Sequence, residues 1–326
     1  MRNENYSINQ IGPNEFDLLI PLMQNCFGIS VDVNYFKWKY LDNPAGHFVG
    51  FVAISNETKE IGAYYGVIPE LFFINGKEKI IYQSCDTMTH ANHRKRGLFQ
   101  MLALHCFEYL RERNELFIYG FGGAQSTPGF IKFGWSNLFN PVLSFFPRQL
   151  LFASILVKGS RSKEAVNVED IHSIKDLILN SNQYAKIHSV KRIENYNWRI
   201  SNPLRKYEVI ALRDGAGSFS AFAVYYKENG KIFLFDWYGV NRQAEKKIIN
   251  SVKHELRSDT SLKGIVSYIK PRDKHYKSLK RQMFLVNPFK FGPLVPDTTF
   301  ITFSNNDFDF SNPSNWDPNA YEHDAF

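Results

Sequence analysis

Apolar residues along the first half of the chain switch between a period of two and a period near 3.6, which separates strands from helices. Asn5 to Ile11 reads as a short strand, and Glu15 to Cys26 carries Phe16, Leu19, Ile20, Leu22 and Met23 at helical spacing. Phe48 to Ile54 and Ile61 to Ile68 read as strands joined around Asn56-Glu57-Thr58. Leu71 to Ile74 and Lys79 to Thr89 follow as a pair around Asn75-Gly76, a two-residue hairpin signal. After Gly97, the residues Leu98, Met101, Leu102, His105, Cys106 and Tyr109 share one helical face, a position that predicts a buried His105. Leu116 to Gly120 is then a strand, Gly122 and Gly123 a turn, and Gly129 to Phe133 a short helix. This order predicts an α/β domain around one twisted sheet.

The segment Phe36-Lys37-Trp38-Lys39-Tyr40-Leu41-Asp42-Asn43-Pro44 returns as Tyr196-Asn197-Trp198-Arg199-Ile200-Ser201-Asn202-Pro203. Each copy continues into strand, polar turn and strand, Phe48 to Ile68 and Tyr207 to Tyr226. An Asn-Gly-Lys hairpin follows in both, at Asn75 and Asn229, and then a β-rich run, Lys79 to Thr89 and Ile232 to Trp237. Helix Gly97 to Arg113 matches Ala244 to Arg257, and strand Leu116 to Gly120 matches Ile265 to Ile269. The chain therefore reads as a duplicated fold, with domains over 1–150 and 165–326 and a linker over 151–164 centred on Gly159-Ser160-Arg161-Ser162. Repetition of Trp38 and Trp198 favours packing over a substrate platform, and Trp38 alone is also placed to line an acceptor mouth. The stretch from Asn305 to Phe326, rich in Asp, Asn and Pro, reads as a tail that packs few apolar groups and wraps the second domain.

Composition narrows the function classes. At 326 residues and 44% apolar content the chain can fill two cores, and an aromatic share of 16% suits strand-rich interiors. A net charge of +7 favours anionic partners, but the basic residues are scattered among acidic ones, which suits a phosphorylated small molecule and not nucleic acid. The cysteines Cys26, Cys85 and Cys106 show neither metal-ligand spacing nor a paired framework, so a reducing compartment and no metal are expected. Met1 to Tyr6 lacks a signal-peptide core, and the apolar run Leu138 to Val157 is broken by Pro141, Pro147 and Arg148. A cytoplasmic chain without membrane contact is the expectation.

The candidate chemistry lies in strand Ile80 to Thr89, loop His90-Ala91-Asn92-His93-Arg94-Lys95-Arg96-Gly97 and the helix after it. Backbone N–H groups at a helix start, exposed by glycine and flanked by three basic residues, form a phosphate site. Here the chain resembles the GNAT acyltransferases, whose pyrophosphate motif is Gln or Arg, two residues, Gly, one residue, then Gly or Ala. Arg94 and Gly97 match, and Phe99 departs. Gln125-Ser126 and Phe130-Ile131-Lys132-Phe133-Gly134-Trp135 resemble the family's second signature, with Phe130 where many members carry a proton-donating Tyr and Gly123 where an Asn is common.

The resemblance implies two tandem GNAT-like domains, each a twisted, mostly antiparallel sheet flanked by helices, the second degenerate because Glu245 aligns with Gly97. It implies an acyl-CoA co-substrate, acetyl-CoA foremost, held by Met88, Thr89, Arg94, Lys95, Arg96, Gly97, Leu98, Ser126, Phe130 and Lys132. A small amine, an amino sugar or nucleotide-linked sugar, would attack the thioester directly, with Met88 and Thr89 amides stabilising the oxyanion. Asp86 is the first candidate base, Tyr82 shares its strand face by alternation, and His90 and His93 are further options. Asp86 is equally readable as a structural carboxylate paired with a nearby lysine. A monomer or homodimer is expected. The competing readings are a non-catalytic acyl-CoA-binding protein and an aminoacyl transferase of the tandem GNAT-like type that builds peptidoglycan bridges.

Overall fold

The computed structural model describes residues 4–152, 165–181, 183, 185–286, 298–304 and 309–323. The expected linker core, 158–163, lies outside the described residues. Two compact units form, neither continuous in sequence: Met1–Leu138 with Asn202–Leu204 and Thr299–Asn312, and Phe139–Ser201 with Arg205–Thr298 and Pro313–Phe326.

The first unit begins with strand β1 (Tyr6–Gln10), a 3-10 turn (Pro13–Leu18), helix α1 (Leu19–Phe27) and helix α2 (Val33–Tyr40). Gly28, at φ 68°, ends α1 with its N–H on the Gln24 carbonyl. Asp32 starts α2 by accepting from the Asn34 and Tyr35 amides at 2.9 and 3.2 Å. Strands β2 (Val49–Ser55), β3 (Ile61–Ile74) and β4 (Lys77–Thr89) form an antiparallel meander. Asn75 and Gly76 take φ of 49° and 82°, as a two-residue hairpin turn requires. Helix α3 (Leu98–Glu112), strand β5 (Phe117–Gly123), helix α4 (Thr127–Lys132) and strand β6 (Ser136–Phe139) follow.

Two expectations change here. β3 is one strand of 14 residues, not two, and it runs straight through Pro69. The β2–β3 ladder ends at Val49↔Val67, so the missing N–H of Pro69 costs no bond on that side. His105 is exposed, its ring edge on Phe51 at 4.7 Å, because the stripe that α3 buries is Leu98, Leu102, Ala103, Cys106, Phe107 and Leu110.

In the second unit the strands are β7 (Val142–Pro147), β8 (Ala165–Asn167), β9 (Ile187–Ser189), β10 (Tyr207–Arg213), β11 (Phe219–Glu228), β12 (Lys231–Gly239), β13 (Gly264–Ile269) and β14 (Leu285–Val286). Its helices are α5 (Lys175–Asn180), α6 (Ile193–Ile200), α7 (Arg242–Ser258) and α8 (Lys274–Arg281). The last strand of the chain, β15 (Thr298–Ser304), returns to the first unit's sheet.

The duplication read from sequence is thus present in three dimensions. One sheet runs β1-β2-β3-β4-β5-β15-β6 and the other β8-β10-β11-β12-β13-β7-β14. Position for position, β4 and β5 are parallel as β12 and β13 are. Asn229 and Gly230 repeat the hairpin turn with φ of 50° and 70°. Asn43 and Asn202 each accept the amide two residues on, from Ala45 and Leu204, so the repeated Asn-Pro is a repeated turn. Trp38 and Trp198 are both buried, as packing residues are. The strand beyond β5 comes from the end of the chain, and the strand beyond β13 from its middle.

The tail reading needs correction. Phe310, Trp316, Ala320 and Tyr321 are buried, with Phe310 against Phe117 in the first unit and Tyr321 stacked on Tyr196 in the second. Polar composition hid these apolar groups because they are spread thinly among polar residues. Among the described residues no helix is long and apolar enough to cross a membrane.

One buried cation gives the second unit a pH signature. Lys253 of α7 is 7% exposed, donates to the Gln282 carbonyl at 2.7 Å and lies 4.3 Å from the Phe146 ring centre. Burial, aided by Lys246, lowers its pKa to about 8 from 10.5. The folded state therefore sheds a proton before the unfolded state does, so stability rises as pH climbs from about 8 toward 10.5. Urea unfolding across that window should show the rise in wild type and a flatter profile in Lys253→Met.

Candidate functional site

The site starts from an irregularity in β4. Gly66 pairs with Cys85 and Tyr64 with Met88, which leaves Asp86 and Thr87 facing Tyr65 alone. Asp86 adopts φ 47°, a left-handed conformation that Asp tolerates better than most residues. The parallel β4–β5 ladder stops at Ser84↔Gly120, and beyond it β4 keeps its pairing with β3 while β5 runs on unpaired to β4. The two strands part, and an opening is left between them.

The bulge turns the Asp86 carboxylate toward α2. Its Oδ2 lies 2.8 Å from Lys39 Nζ and accepts from the Tyr40 hydroxyl at 2.7 Å. The Lys39 and Asp86 side chains are 1% and 8% exposed. Of the roles open in the sequence, pairing with a nearby lysine is the one this geometry displays. Tyr82 does not share the Asp86 face, because the bulge breaks the alternation. Its side chain belongs to the core on the α3 side and its hydroxyl donates to Glu115 at 2.9 Å. Burial, with Glu115 beside it, pushes the Tyr82 phenol far above its ordinary value.

The two expected oxyanion amides also separate. The His90 amide donates to the Gly62 carbonyl at 2.9 Å, so by antiparallel alternation the Met88 amide also faces β3. The Thr89 amide points the other way, away from β3 and toward the Cys26 sulfur. Cys26, which sequence reasoning passed over, sits beside it. Burial raises its thiol pKa, against lowering by the Thr89 backbone and the Arg94 guanidinium. His93 is buried, bonded to the Tyr6 hydroxyl at 2.7 Å and 3.5 Å from Glu60, and His90 caps the turn Ala91–His93.

Arg94, Lys95, Arg96 and Gly97 are exposed. Arg96 also braces the loop, donating to the Tyr6 hydroxyl at 3.0 Å and the Asn92 carbonyl at 3.3 Å. Gly97 is the N-cap of α3 at φ 74°, no side chain caps the helix, and nothing lies within 4 Å of where a Cβ would stand. Glycine is needed for its backbone angle, and the space in front of the helix start is open. The following Phe99 does not close that space. Its ring packs on Phe130 at 4.9 Å and Phe133 at 5.3 Å, over Gly129, where a Cβ would meet it at 2.7 Å. Phe130 itself is 3% exposed, part of the core with Trp135. Ser126 is the N-cap position of α4, with its hydroxyl on the Gly123 carbonyl, and Lys132 is exposed at the helix end. Leu98 is buried in the α3 stripe. A groove of about 930 Å³ borders Arg96 and Gly97, walled by Tyr6, Ile8, Gln100, Met101 and His105 on the β1 side of α3.

Residues 7–138 match the family model for an acetyltransferase (GNAT) domain. The first unit is similar to a GNAT domain over these residues. Comparison with curated protein sequences gives no match. In three dimensions the chain is similar to a conserved protein of unknown function from Enterococcus faecalis V583, at 12% identity and TM-score 0.69, over 91% of this chain and 72% of that one. It is similar also to a GCN5-related N-acetyltransferase from Anabaena variabilis, at 11% identity and TM-score 0.66, with the same coverage of 91% and 72%. Saccharomyces cerevisiae N-myristoyltransferase with bound myristoyl-CoA matches at 11% identity and TM-score 0.60, over 93% and 80%. The chain has the GNAT acyltransferase fold.

Against the first unit, the second keeps the braced aspartate but differs at the helix start and in the opening. Asp236 lies two residues past the last parallel pair, Leu234↔Ser267, as Asp86 does past Ser84↔Gly120. It is held by Lys191 at 2.7 Å and the Tyr196 hydroxyl at 3.0 Å. The helix start, however, is occupied by the chain itself. Asn241 is the N-cap of α7 and its side chain accepts from the Ala244 amide at 2.9 Å. Asn241 is therefore the counterpart of Gly97, and Glu245, the residue expected in that place, lies a turn further in. The space between β12 and β13 holds the tail: Asn319 bridges Ile269, and its side chain reaches Asp236 at 3.5 Å. Ser189 holds Glu322 at 2.6 Å and Arg199 holds the Tyr321 and His323 carbonyls.

The buried pair in the first unit predicts an asymmetry. Asp86→Ala removes the carboxylate that offsets the buried Lys39 charge and should cost about 3–5 kcal/mol. Replacing both partners together, Asp86→Leu with Lys39→Met, should cost less than Asp86→Ala alone. Denaturant unfolding of the variants measures the order directly.

Proposed function

We propose that this chain is an acyl-CoA-dependent N-acyltransferase whose donor binds in the first unit. The observation that carries the reading is the uncapped start of α3, with Gly97 at φ 74° and open space before it, flanked by exposed Arg94 and Lys95. A pyrophosphate supplies the acceptors that those helix amides lack and is favoured by the helix dipole. Binding energy gathered there places the thioester in the opening between β4 and β5.

In that placement a small amine, such as an amino sugar or a nucleotide-linked sugar, attacks the thioester carbon in its neutral form. The new C–N bond forms as the carbonyl oxygen takes charge, which the outward-facing Thr89 amide stabilises, and the C–S bond then breaks to release CoA thiolate. The ammonium proton leaves to water. With Phe130 buried, the thiolate departs without a side-chain acid, tolerable for a thiol whose pKa is roughly 8.5. Asp86 acts as a positioning residue that fixes the bulge and so aims Thr89. Tyr64 supports a short acyl group such as acetyl: a Cβ at Gly50 or Gly66 would lie 2.8 or 2.2 Å from its hydroxyl, so the ring fills the space beside the bulge.

A second reading, acyl-CoA binding without turnover, rests on Asp86 being committed to Lys39 and on the burial of Phe130. Thiol release from acetyl-CoA across a panel of small amines separates the two. Acceptor-dependent release supports the enzyme, and tight CoA binding with no release under any acceptor sinks it.

The location has its own test. Gly97→Glu adds a carboxylate and a disfavoured backbone angle at the phosphate position, and CoA affinity by calorimetry should fall roughly 100-fold or more. Unchanged affinity in a folded variant would place the donor elsewhere.

A further inference from the structure

The second unit gathers three metal-ligating side chains that neither the donor site nor the opening in the first unit employs. Asp273 and His275 stand at the start of α8, and Asp317 arrives from the tail. One ligand atom from each lies within 4.8 Å of the others. The Asp273 and His275 side chains are each 5% exposed, and Asp317 is 8% exposed.

What marks the cluster is the state of its carboxylates. Asp273 Oδ1 is spent on the Tyr276 amide at 2.6 Å. Asp273 Oδ2 and Asp317 Oδ1 are shielded from water and accept no hydrogen bond. Leaving a buried carboxylate oxygen unmatched is costly, and two side by side repel each other as well. The ammonium groups of Lys270 and Lys274 lie near enough to Asp317 to attract it, without a hydrogen bond to either unmatched oxygen. Lys270 donates to the Pro313 and Trp316 carbonyls at 2.8 and 2.6 Å, and Lys191 is paired with Asp236. His275 is paired with Asp273, its Nδ1 3.8 Å from Asp273 Oδ2. The imidazole is held edge-on against Trp237 at 4.8 Å, which fixes its plane.

We propose that Asp273, His275 and Asp317 bind a divalent transition-metal ion, zinc by preference, that pins the tail to the start of α8. Two carboxylate oxygens and an imidazole nitrogen are a donor set for a borderline cation, and the late first-row ions bind such sets most tightly. Ligands at about 2.1 Å from a tetrahedral zinc stand about 3.4 Å apart. Rotations that move the three atoms by roughly 1 Å therefore close the present triangle on an ion, with water as a fourth ligand. The ion neutralises the buried charge and fastens Asp317, two residues before the Asn319 that reaches Asp236. It thereby locks the tail into the opening between β12 and β13.

The full chain, purified from zinc-supplemented cells without an affinity tag that binds metal, should carry about one equivalent of zinc by elemental mass spectrometry. Removal with a chelator should lower the unfolding temperature by several degrees, and added zinc should restore it. Cobalt in place of zinc should give a visible absorption band. Asp317→Asn should lose the metal and the zinc-dependent gain in stability. If that variant does not fold, the cobalt band and the zinc-dependent shift of the wild type decide alone. The proposal is overturned if wild type holds no zinc and shows neither response, or if folded Asp317→Asn retains full metal content.

Discussion

The ion pair between Asp86 and Lys39 is the constraint on which the first unit rests. A sheet that is to admit a ligand edge-on between two parallel strands must part them without unravelling the meander on the other side. β4 does this with a bulge, and a bulge needs something to hold its extra residue in an uncommon conformation. The Asp86 carboxylate, swung out of the strand's alternation, is anchored by a lysine that is 1% exposed and by the Tyr40 hydroxyl. Burying two charges is costly, and their attraction offsets that only where the geometry is close and the other lone pairs are used. The second unit repeats the device with Asp236 and Tyr196, but its cation, Lys191, comes from before α6 and not from the place equivalent to Lys39. What the duplication has kept is the braced bulge, reached by different lysines.

From one scaffold the two units reach opposite states at the helix start. In the first, a left-handed glycine carries the chain into α3 and leaves the leading amides uncapped, a vacancy of hydrogen-bond acceptors beside Arg94 and Lys95. In the second, Asn241 supplies the acceptor internally and the tail fills the opening, with Asn319, Tyr321 and Glu322 each held by the unit's own side chains. A site satisfied by its own chain has little to gain from a phosphate. This is a stronger ground for reading the second copy as degenerate than the charge of Glu245, which is not at the capping position.

The local features carried their message in the sequence. Asn-Gly turns, the glycine before α3 and the Trp to Asn-Pro repeat are set by backbone angles that few residues tolerate, so residue identity and conformation are tightly linked. Features that depend on distant partners were not legible. Nothing near Asp86 in the sequence names Lys39 as its partner, since 47 positions separate them and only the fold closes the gap. Period-two counting put Tyr82 and Asp86 on one face, and a bulge, which is invisible to periodicity, moved one of them. His105 misled in a similar way, because Phe107 and Leu110 centre the buried stripe of α3 away from it. Phe99, a departure from the small residue of the motif, is explained by Gly129, a compensation some thirty residues away that only the packing shows.

The exchange of strands sets how these features come into being. The family match ends at residue 138, yet the core of the first unit includes Ile301, and the Trp135 ring stacks on Phe303. Without β15, β5 would present an unpaired edge beside the opening, and exposed edges of this kind invite wrong pairing. Phe130 and Phe107 both touch Trp135, so the packing that carries Phe99 away from the open space before α3 leans on the same late strand. The packing behind the open helix start of the first unit is therefore complete only once β15 is in place. Closing that pairing costs loop entropy that local contacts cannot repay, which puts β15 among the last elements to dock. A duplicated fold that trades strands in this way makes the open helix start of α3 conditional on a strand some two hundred residues further along.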